Sequence, residues 1–224
     1  MIKDDDIVET PWDSRAFGVD TYEILKVSED ILRKIKTVSG HFTVKVDPLF
    51  PKKALHDYGF YYCDTLIEPY CNKERLKYYS HEQVTISWET NVEELIPISH
   101  GAFAHGRFHR DFNLDKALAD QRYDNWLKDL VDLKQCLTLE YAGKTAGFIG
   151  VNGNKLVLHA LSANYKGRGL AKYFWSAACQ ELFNLGHSEL VSSISVSNIS
   201  VLNMYVSLGF RFRNPCDVYH RMNS

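Results

Sequence analysis

Apolar and polar residues change their spacing several times along the chain, and each change marks an element. From Thr21 to Val27 they alternate as in a strand, and Ser28 then caps a helix reaching about Val38. His41 to Val46 reads as a second strand, stopped by Pro48 and Pro51. Lys52 to Tyr58 is a short helix, Gly59 supplies its C-terminal turn, and Phe60 to Ile67 returns as a strand. Residues 21 to 67 therefore predict strand, helix, strand, helix, strand. The polar run from Asn72 to His81 predicts a linker.

A longer stretch opens with a strand at Val84 to Trp88 and a helix at Val92 to Ala104. Gly101, Gly106 and the polar run to Asn113 form a loop. A helix from Asp115 to about Asp132 follows, apolar at Ala119, Tyr123, Trp126, Leu127 and Leu130. Cys136 to Tyr141, Thr145 to Val151 and Lys155 to Leu161 are three strands. Their short turns, Ala142-Gly143-Lys144 and Asn152-Gly153-Asn154, predict an antiparallel meander. After a loop from Ser162 to Gly167, a helix from Arg168 to Leu185 closes at Gly186. Glu189 to Val196 is a strand, Asn198 to Leu208 a helix ending at Gly209, and a strand pair runs from Phe210. Tyr58-Gly59-Phe60 and Leu208-Gly209-Phe210 each end a short helix and begin a strand after a strand-helix-strand unit. The shared order of five elements suggests a duplicated half-fold.

At 224 residues the chain exceeds one domain and falls short of two, on a prior of roughly 150 residues each. With 45% hydrophobic and 24% charged residues it is globular. Lys+Arg 26 against Asp+Glu 28 leaves a charge of -2, which excludes a general nucleic-acid binder; any phosphate ligand needs a local site. Cysteines 63, 71, 136, 179 and 216 form no CxxC pair, so neither a disulfide framework nor a metal site is expected, and reduced thiols fit a cytoplasmic protein. Met1 to Asp6 carries Lys3 followed by three aspartates, and no apolar run nears 18 residues. Neither a signal peptide nor a membrane partner is expected.

The segment Leu161-Ser162-Ala163-Asn164-Tyr165-Lys166-Gly167-Arg168-Gly169-Leu170-Ala171 leaves a strand, turns through two glycines and enters a long helix. Glycine allows close backbone approach and positive φ, while a helix N-terminus offers unpaired N–H groups to an anion. A basic loop between strand and helix is the commoner meaning of a lone Lys-Gly-Arg-Gly. There is no G-x-x-x-x-G-K-[ST] and no G-x-G-x-x-G with a following acidic residue, so a P-loop and a dinucleotide fingerprint are both excluded.

With the second segment, Asn198 through Phe210, this loop resembles the acyl-CoA site of the GCN5-related N-acetyltransferase (GNAT) superfamily. Lys166 to Ala171 is similar to its Q/R-x-x-G-x-G/A motif, with lysine in the first place. Asn198 to Phe210 is similar to its N-x-x-A-x-x-L-Y-x-K-x-G-F helix, with Val201, Met204 and Ser207 as departures. The resemblance implies an α/β (α+β) protein, with a mixed central sheet flanked by helices. Residues 82–224 would be the catalytic GNAT domain, and residues 1–75 a truncated GNAT-like domain. It further implies acetyl-CoA as co-substrate. Lys166, Gly167, Arg168, Gly169, Leu170 and Ala171 would hold the pyrophosphate through their N–H groups. His159, Ala160, Leu161 and Ser162 would line the pantetheine arm, Asn198 would orient it, and Tyr205 would be the general acid. Among thirteen tyrosines, Tyr205 is singled out only by its place in that motif.

Trp12-Asp13-Ser14-Arg15-Ala16-Phe17-Gly18-Val19 resembles the W-x-x-x-x-F-G-V opening of bacterial nucleotide-sugar N-acetyltransferases of the TDP-fucosamine type. That likeness implies transfer to the amino group of a dTDP-linked 4-amino-4,6-dideoxy sugar for surface polysaccharide, and it leaves a homodimer open. Arg107, Phe108 and Arg110 are candidates for the acceptor, the arginines for its diphosphate and the ring for stacking; a solvated basic loop is the plainer alternative. Glu68, His105, His109 and His159 are candidate bases, and with nine histidines any one is more often structural. A protein N-terminus, a lysine or a small amine remains an alternative acceptor, and a non-catalytic acyl-CoA-binding module an alternative role.

Overall fold

The computed structural model describes residues 4–223, so Met1 to Lys3 of the acidic N-terminal run lie outside it. In chain order the first elements are β1 (Ile7–Glu9), α1 (Pro11–Phe17), β2 (Thr21–Ile24), α2 (Glu29–Ile35), β3 (Gly40–Val46), α3 (Lys53–Asp57) and β4 (Tyr61–Asn72). A single 3-10 turn, Lys73–Arg75, leads to β5 (Val84–Ser87), α4 (Val92–Ser99), α5 (Arg107–Arg110) and α6 (Lys116–Asp132). The rest comprises β6 (Cys136–Tyr141), β7 (Lys144–Asn152), β8 (Lys155–Leu161), α7 (Ala171–Asn184), β9 (Glu189–Ser192), β10 (Ile194–Ser195), α8 (Ile199–Ser207) and β11 (Arg211–Asn223). No helix among the described residues is long and apolar enough to cross a membrane.

Two compact units emerge, neither contiguous along the chain. The first comprises Met1–Leu66, Ala104–Arg122 and Asn214–Ser224, the second Ile67–Phe103 and Tyr123–Arg213. In the first unit β1 pairs antiparallel with β2, β2 parallel with β3 (Thr21↔His41), and β3 antiparallel with β11 (Val44↔Tyr219). Ser28 accepts a hydrogen bond from the Ile31 N–H at 3.3 Å, which starts α2 where the sequence places it. Ile31, Leu32 and Ile35 lie on one helical face and are buried with Phe42, Val44 and Leu55. Pro11 occupies the first turn of α1, and Gly18, at φ 68, closes it by donating to the Ser14 carbonyl.

In the second unit β6, β7 and β8 form the expected antiparallel meander, and β5 pairs antiparallel with β6 at its edge. Gly143 (φ 71) and Gly153 (φ 57) supply the left-handed residues its turns require. α7 then crosses to β9, which pairs parallel with β8 and antiparallel with β4. Phe174, Trp175, Ala178 and Leu182 repeat at helical spacing on α7 and share a core with Leu137, Leu139, Ile149 and Leu156 of the strands.

The short helices α3 and α8 end alike. Gly59 (φ 78) and Gly209 (φ 90) are both left-handed, and the next residue bonds back five positions: Phe60 N–H to Leu55 O at 2.9 Å, Phe210 N–H to Tyr205 O at 3.1 Å.

Several elements differ from the sequence reading: β1, α1 and α5 are additional, and β4 runs on to Asn72. The final strand pair is one strand, because Asn214 (φ 52) and Pro215 bend β11 without ending it. The strand expected over residues 189–196 breaks at Ser193 into β9 and β10. α4 stops at Ser99, where His100 turns to an extended ψ of 122. α7 begins at Ala171, because positive φ at Gly167 and Gly169 extends the preceding loop.

A Cβ added at Gly209 would stand 2.1 Å from the Arg75 carbonyl oxygen, at a φ that L residues avoid. Gly209→Ala is expected to destabilise the protein by about 1–3 kcal/mol, read from the denaturant midpoint, with Gly153→Ala, which meets no neighbour, as control.

Candidate functional site

Parallel pairing between β8 and β9 is brief. The register runs Lys155↔Val191 and Leu156↔Ser192 and then stops, while β7 accompanies β8 on its other side as far as Gly147↔Leu161. Among the described residues, the β9-facing edge of β8 from Val157 onward has no strand partner. His159, Ala160 and Leu161 lie on that stretch. An unpaired strand edge offers N–H and C=O groups at ladder spacing to an extended amide chain.

Directly after this edge comes the glycine loop. The Ser162 N–H donates to Ala146 O at 2.8 Å, and the Ser162 carbonyl accepts from Tyr165 and Lys166, a tight turn. Gly167 and Gly169 both sit at φ 73, and no backbone acceptor among the described residues takes the N–H groups of Gly167, Arg168 or Gly169. Leu170 is buried and anchors the start of α7, so exposed N–H groups and the helix N-terminus meet at one place. Lys166 and Arg168 are exposed there, and the Arg168 guanidinium lies over the rings of Tyr141 and Tyr165. This arrangement suits a phosphate-bearing ligand.

Tyr205 lies on α8 with its side chain fully buried. Its Oη is 3.3 Å from His159 Nε2, so the phenol is tied to the unpaired stretch of β8. Burial raises its pKa above the ordinary phenol value, and the nearby Ser192 and Trp175 only partly offset this, so it stays protonated near neutrality. Burial lowers His159 to about 4, leaving its ring neutral. Asn198 proves to be the N-cap of α8: its Oδ1 accepts from the Val201 N–H at 3.3 Å and from Ser200 Oγ at 3.0 Å.

The remaining candidates fare differently. Phe108 is a correction to the expected stacking platform: it is 2% exposed, packed on Phe17 and His220, with the Arg107 and Arg122 guanidinium groups over its ring. Arg110 is exposed and pairs with Asp64 at 2.9 Å. Glu68 is held by Arg213 at 2.5 Å, and Arg213 also pairs with Glu189 at 2.6 Å. His109 Nε2 lies 2.8 Å from Asp120. His105 is exposed. In the nucleotide-sugar-like segment, Trp12 is exposed while Phe17 is buried.

A cluster that the sequence reading missed lies in the first unit. Asp111 Oδ2 is 3.0 Å from His41 Nε2 and 2.7 Å from His220 Nδ1, and its Oδ1 accepts from Tyr61 Oη at 2.9 Å and the Asn113 N–H at 2.8 Å. Burial works to raise the Asp111 carboxyl, but the bonds from His220 and His41 outweigh it and hold it well below the ordinary carboxylate value. His41, Asp111 and His220 form a group whose ligand atoms all lie within 4.8 Å, close enough for a metal ion. Hydrogen bonds already account for the arrangement: an ionised carboxylate only accepts, and four donors surround this one. These residues come from distant segments, so no local spacing betrays them. The sequence signal is confined to His220, set between Val218 and Met222 on an apolar strand face, since His41 shares its face with Thr43 and Lys45.

Among protein families, the model of the acetyltransferase (GNAT) family matches residues 103–210. No curated protein matches the sequence significantly. Solved structures do. A GCN5-related N-acetyltransferase from Sphaerobacter thermophilus is 10% identical with a TM-score of 0.57, over 82% of this chain; the chain spans only 60% of that protein. An acetyltransferase from the GNAT family of Colwellia psychrerythraea is 12% identical with a TM-score of 0.58, over 90% of this chain and 78% of its own. A glucosamine N-acetyltransferase region of a fungal multi-domain GH3 β-N-acetylglucosaminidase is 10% identical with a TM-score of 0.60, over 91% of this chain and 30% of its own.

Burial also drives His220 down to about 3, so it is neutral in the fold, while it titrates near the ordinary histidine value of 6.5 once unfolded. Such a group adds its full stability above pH 6.5 and loses it as pH falls toward the folded value. Stability is therefore expected to drop by about 1.4 kcal/mol per pH unit from this one site below pH 6.5, read from denaturant midpoints. His220→Gln should flatten that slope, and an unchanged slope would clear His220 of responsibility.

Proposed function

We propose that this chain, which shares the fold of GNAT acetyltransferases, is an acetyl-CoA-dependent N-acetyltransferase whose acceptor is the amino group of a nucleotide-linked amino-deoxy sugar of the dTDP-4-amino-4,6-dideoxyhexose type, used in surface polysaccharide. The early end of β8–β9 pairing, directly before the glycine loop, carries the acyl-donor half of this reading. Pantetheine amides pair with the free edge at His159, Ala160 and Leu161, next to Ser162. N–H groups from Lys166 to Ala171 take the pyrophosphate. Asn198, whose oxygen caps α8, serves by fixing where that helix begins.

The amine attacks the thioester carbon directly, and the carbon–sulfur bond breaks as the nitrogen–carbon bond forms. Tyr205 gives its proton to the departing sulfur. A thiol ionises near pH 8.5 and a phenol near 10, so a protonated tyrosine is matched to the task. The buried, raised phenol of Tyr205 is in that state at pH 7.

The acceptor half rests on Trp12, Phe17, Gly18 and Val19, and the fold also serves an amino sugar in the fungal glucosamine N-acetyltransferase. Arg107 and Arg110 are our candidates for the acceptor diphosphate; Phe108, already within the core, is not. Glu68, paired with Arg213, is a further candidate contact to the acceptor. We read residues 1–75 as a truncated GNAT-like domain, on the matching ends of α3 and α8 and the parallel pairs β2–β3 and β8–β9. A cytoplasmic location follows from these substrates.

Thiol release should be seen with acetyl-CoA and a dTDP-amino sugar and not with amine-bearing peptides; activity on peptides alone would refute the sugar acceptor. Gly169→Val meets no protein atom within 4 Å but forces a branched side chain into φ 73. It is expected to weaken acetyl-CoA binding at least about tenfold by calorimetry, at a stability loss of about 1–3 kcal/mol. Undiminished affinity would place the diphosphate elsewhere.

A further inference from the structure

In the second unit one contact joins the free strand edge to the helix bearing the phenol: Tyr205 Oη, 3.3 Å from His159 Nε2. We propose that His159 is a positioning residue for acyl transfer, whose Nε2 accepts the Tyr205 hydroxyl proton in the resting enzyme and fixes the phenol oxygen beside the unpaired stretch of β8. This rests on the reading of Tyr205 as the acid.

The direction of the bond follows from its surroundings. A neutral imidazole carries one unprotonated nitrogen, and Nε2 is the nitrogen that faces the Tyr205 hydroxyl. We assign tyrosine as the donor in this pair, with the His159 tautomer that leaves Nε2 unprotonated. Neighbouring rings hold both partners. Trp175 stands edge-on to His159 at 5.0 Å between centroids, and Phe210 edge-on to Tyr205 at 4.8 Å. The Trp175 indole N–H is buried and has no hydrogen-bond partner among the described residues, and Trp175 interacts with Tyr205 in the sense that favours its anion. The pocket thus holds an acceptor for the phenol and a spare donor for the phenolate.

The chemistry explains why a weak acceptor is useful. While the sulfur is a thioester it does not compete, and His159 keeps the hydroxyl in one orientation. As the carbon–sulfur bond breaks, the growing thiolate, basic to about pH 8.5, outcompetes an imidazole lowered to about 4, and the proton passes to sulfur. The phenolate then regains a proton from the one the amine nitrogen releases. One proton moves from nitrogen to sulfur overall, and His159 neither gains nor loses any.

The test uses the full chain, acetyl-CoA and the best amine from the acceptor panel. His159→Leu should lower kcat about tenfold or more with KM for acetyl-CoA within about twofold, and His159→Gln, whose amide oxygen can accept the same proton, should recover most of the loss. In the Tyr205→Phe background His159→Leu should cost nothing further. Full kcat in His159→Leu, or an equal loss with and without the Tyr205 hydroxyl, overturns the proposal. Undiminished kcat in Tyr205→Phe instead removes Tyr205 as the acid, whatever His159 does. Independently of turnover, nitrogen-15 NMR of the histidine rings should find His159 Nε2 unprotonated and its resonance shifted in Tyr205→Phe. A protonated Nε2 likewise overturns the assignment.

Discussion

The candidate site depends on a hydrogen-bond ladder that stops. Two parallel strands in one sheet ordinarily satisfy each other's backbone groups along their shared length, because unpaired N–H and C=O groups are costly once buried. β8 and β9 hold register for only two residue pairs. The groups left along β8 stay without a strand partner, and the glycine loop follows directly after them. Neither feature suffices without the other. A paired β8 would have no edge to offer, and a glycine loop away from a free edge would be only a basic turn.

The second unit supports that gap by packing the residues around it tightly. α7 lays Phe174, Trp175, Ala178 and Leu182 on the strands, and α8 sinks Tyr205 into the same core. Gly147 lets β7 lie against β8: a Cβ there would stand 2.3 Å from the Ala160 carbonyl oxygen. Such close contacts leave few orientations for His159 and Tyr205, and the polar groups between them are bonded or poised rather than solvated. In the first unit a buried carboxylate plays the comparable organising part, gathering His41, His220, Tyr61 and the Asn113 amide around one charge. Removing any donor would leave part of a buried charge unsatisfied, which costs far more than the bond itself contributes.

Local patterns made much of this legible in advance. The meander β6–β8, the cap at Ser28, the left-handed glycines at 59 and 209 and the helix carrying Asn198 and Tyr205 all follow from interactions spanning a few residues. Period, capping and turn chemistry capture such interactions. The misses have the opposite character. β11 passes through Asn214 and Pro215 as one strand because β3 pairs with it from Asp217 to Asn223, a partner far away in sequence. Phe108 looks like an exposed ring in a basic loop and is core, because Phe17 and His220 come to it from distant segments.

By itself, then, the sequence determined the order of elements, the glycine loop and the presence of a tyrosine at a telling place, since those are written in neighbouring residues. Only the tertiary structure decided where the β8–β9 ladder ends, that the phenol of Tyr205 meets an imidazole 46 positions away, and that Asp111 is buried among histidines. Pairing across a sheet and the burial of polar groups depend on segments brought together by folding, and no spacing along the chain encodes them directly.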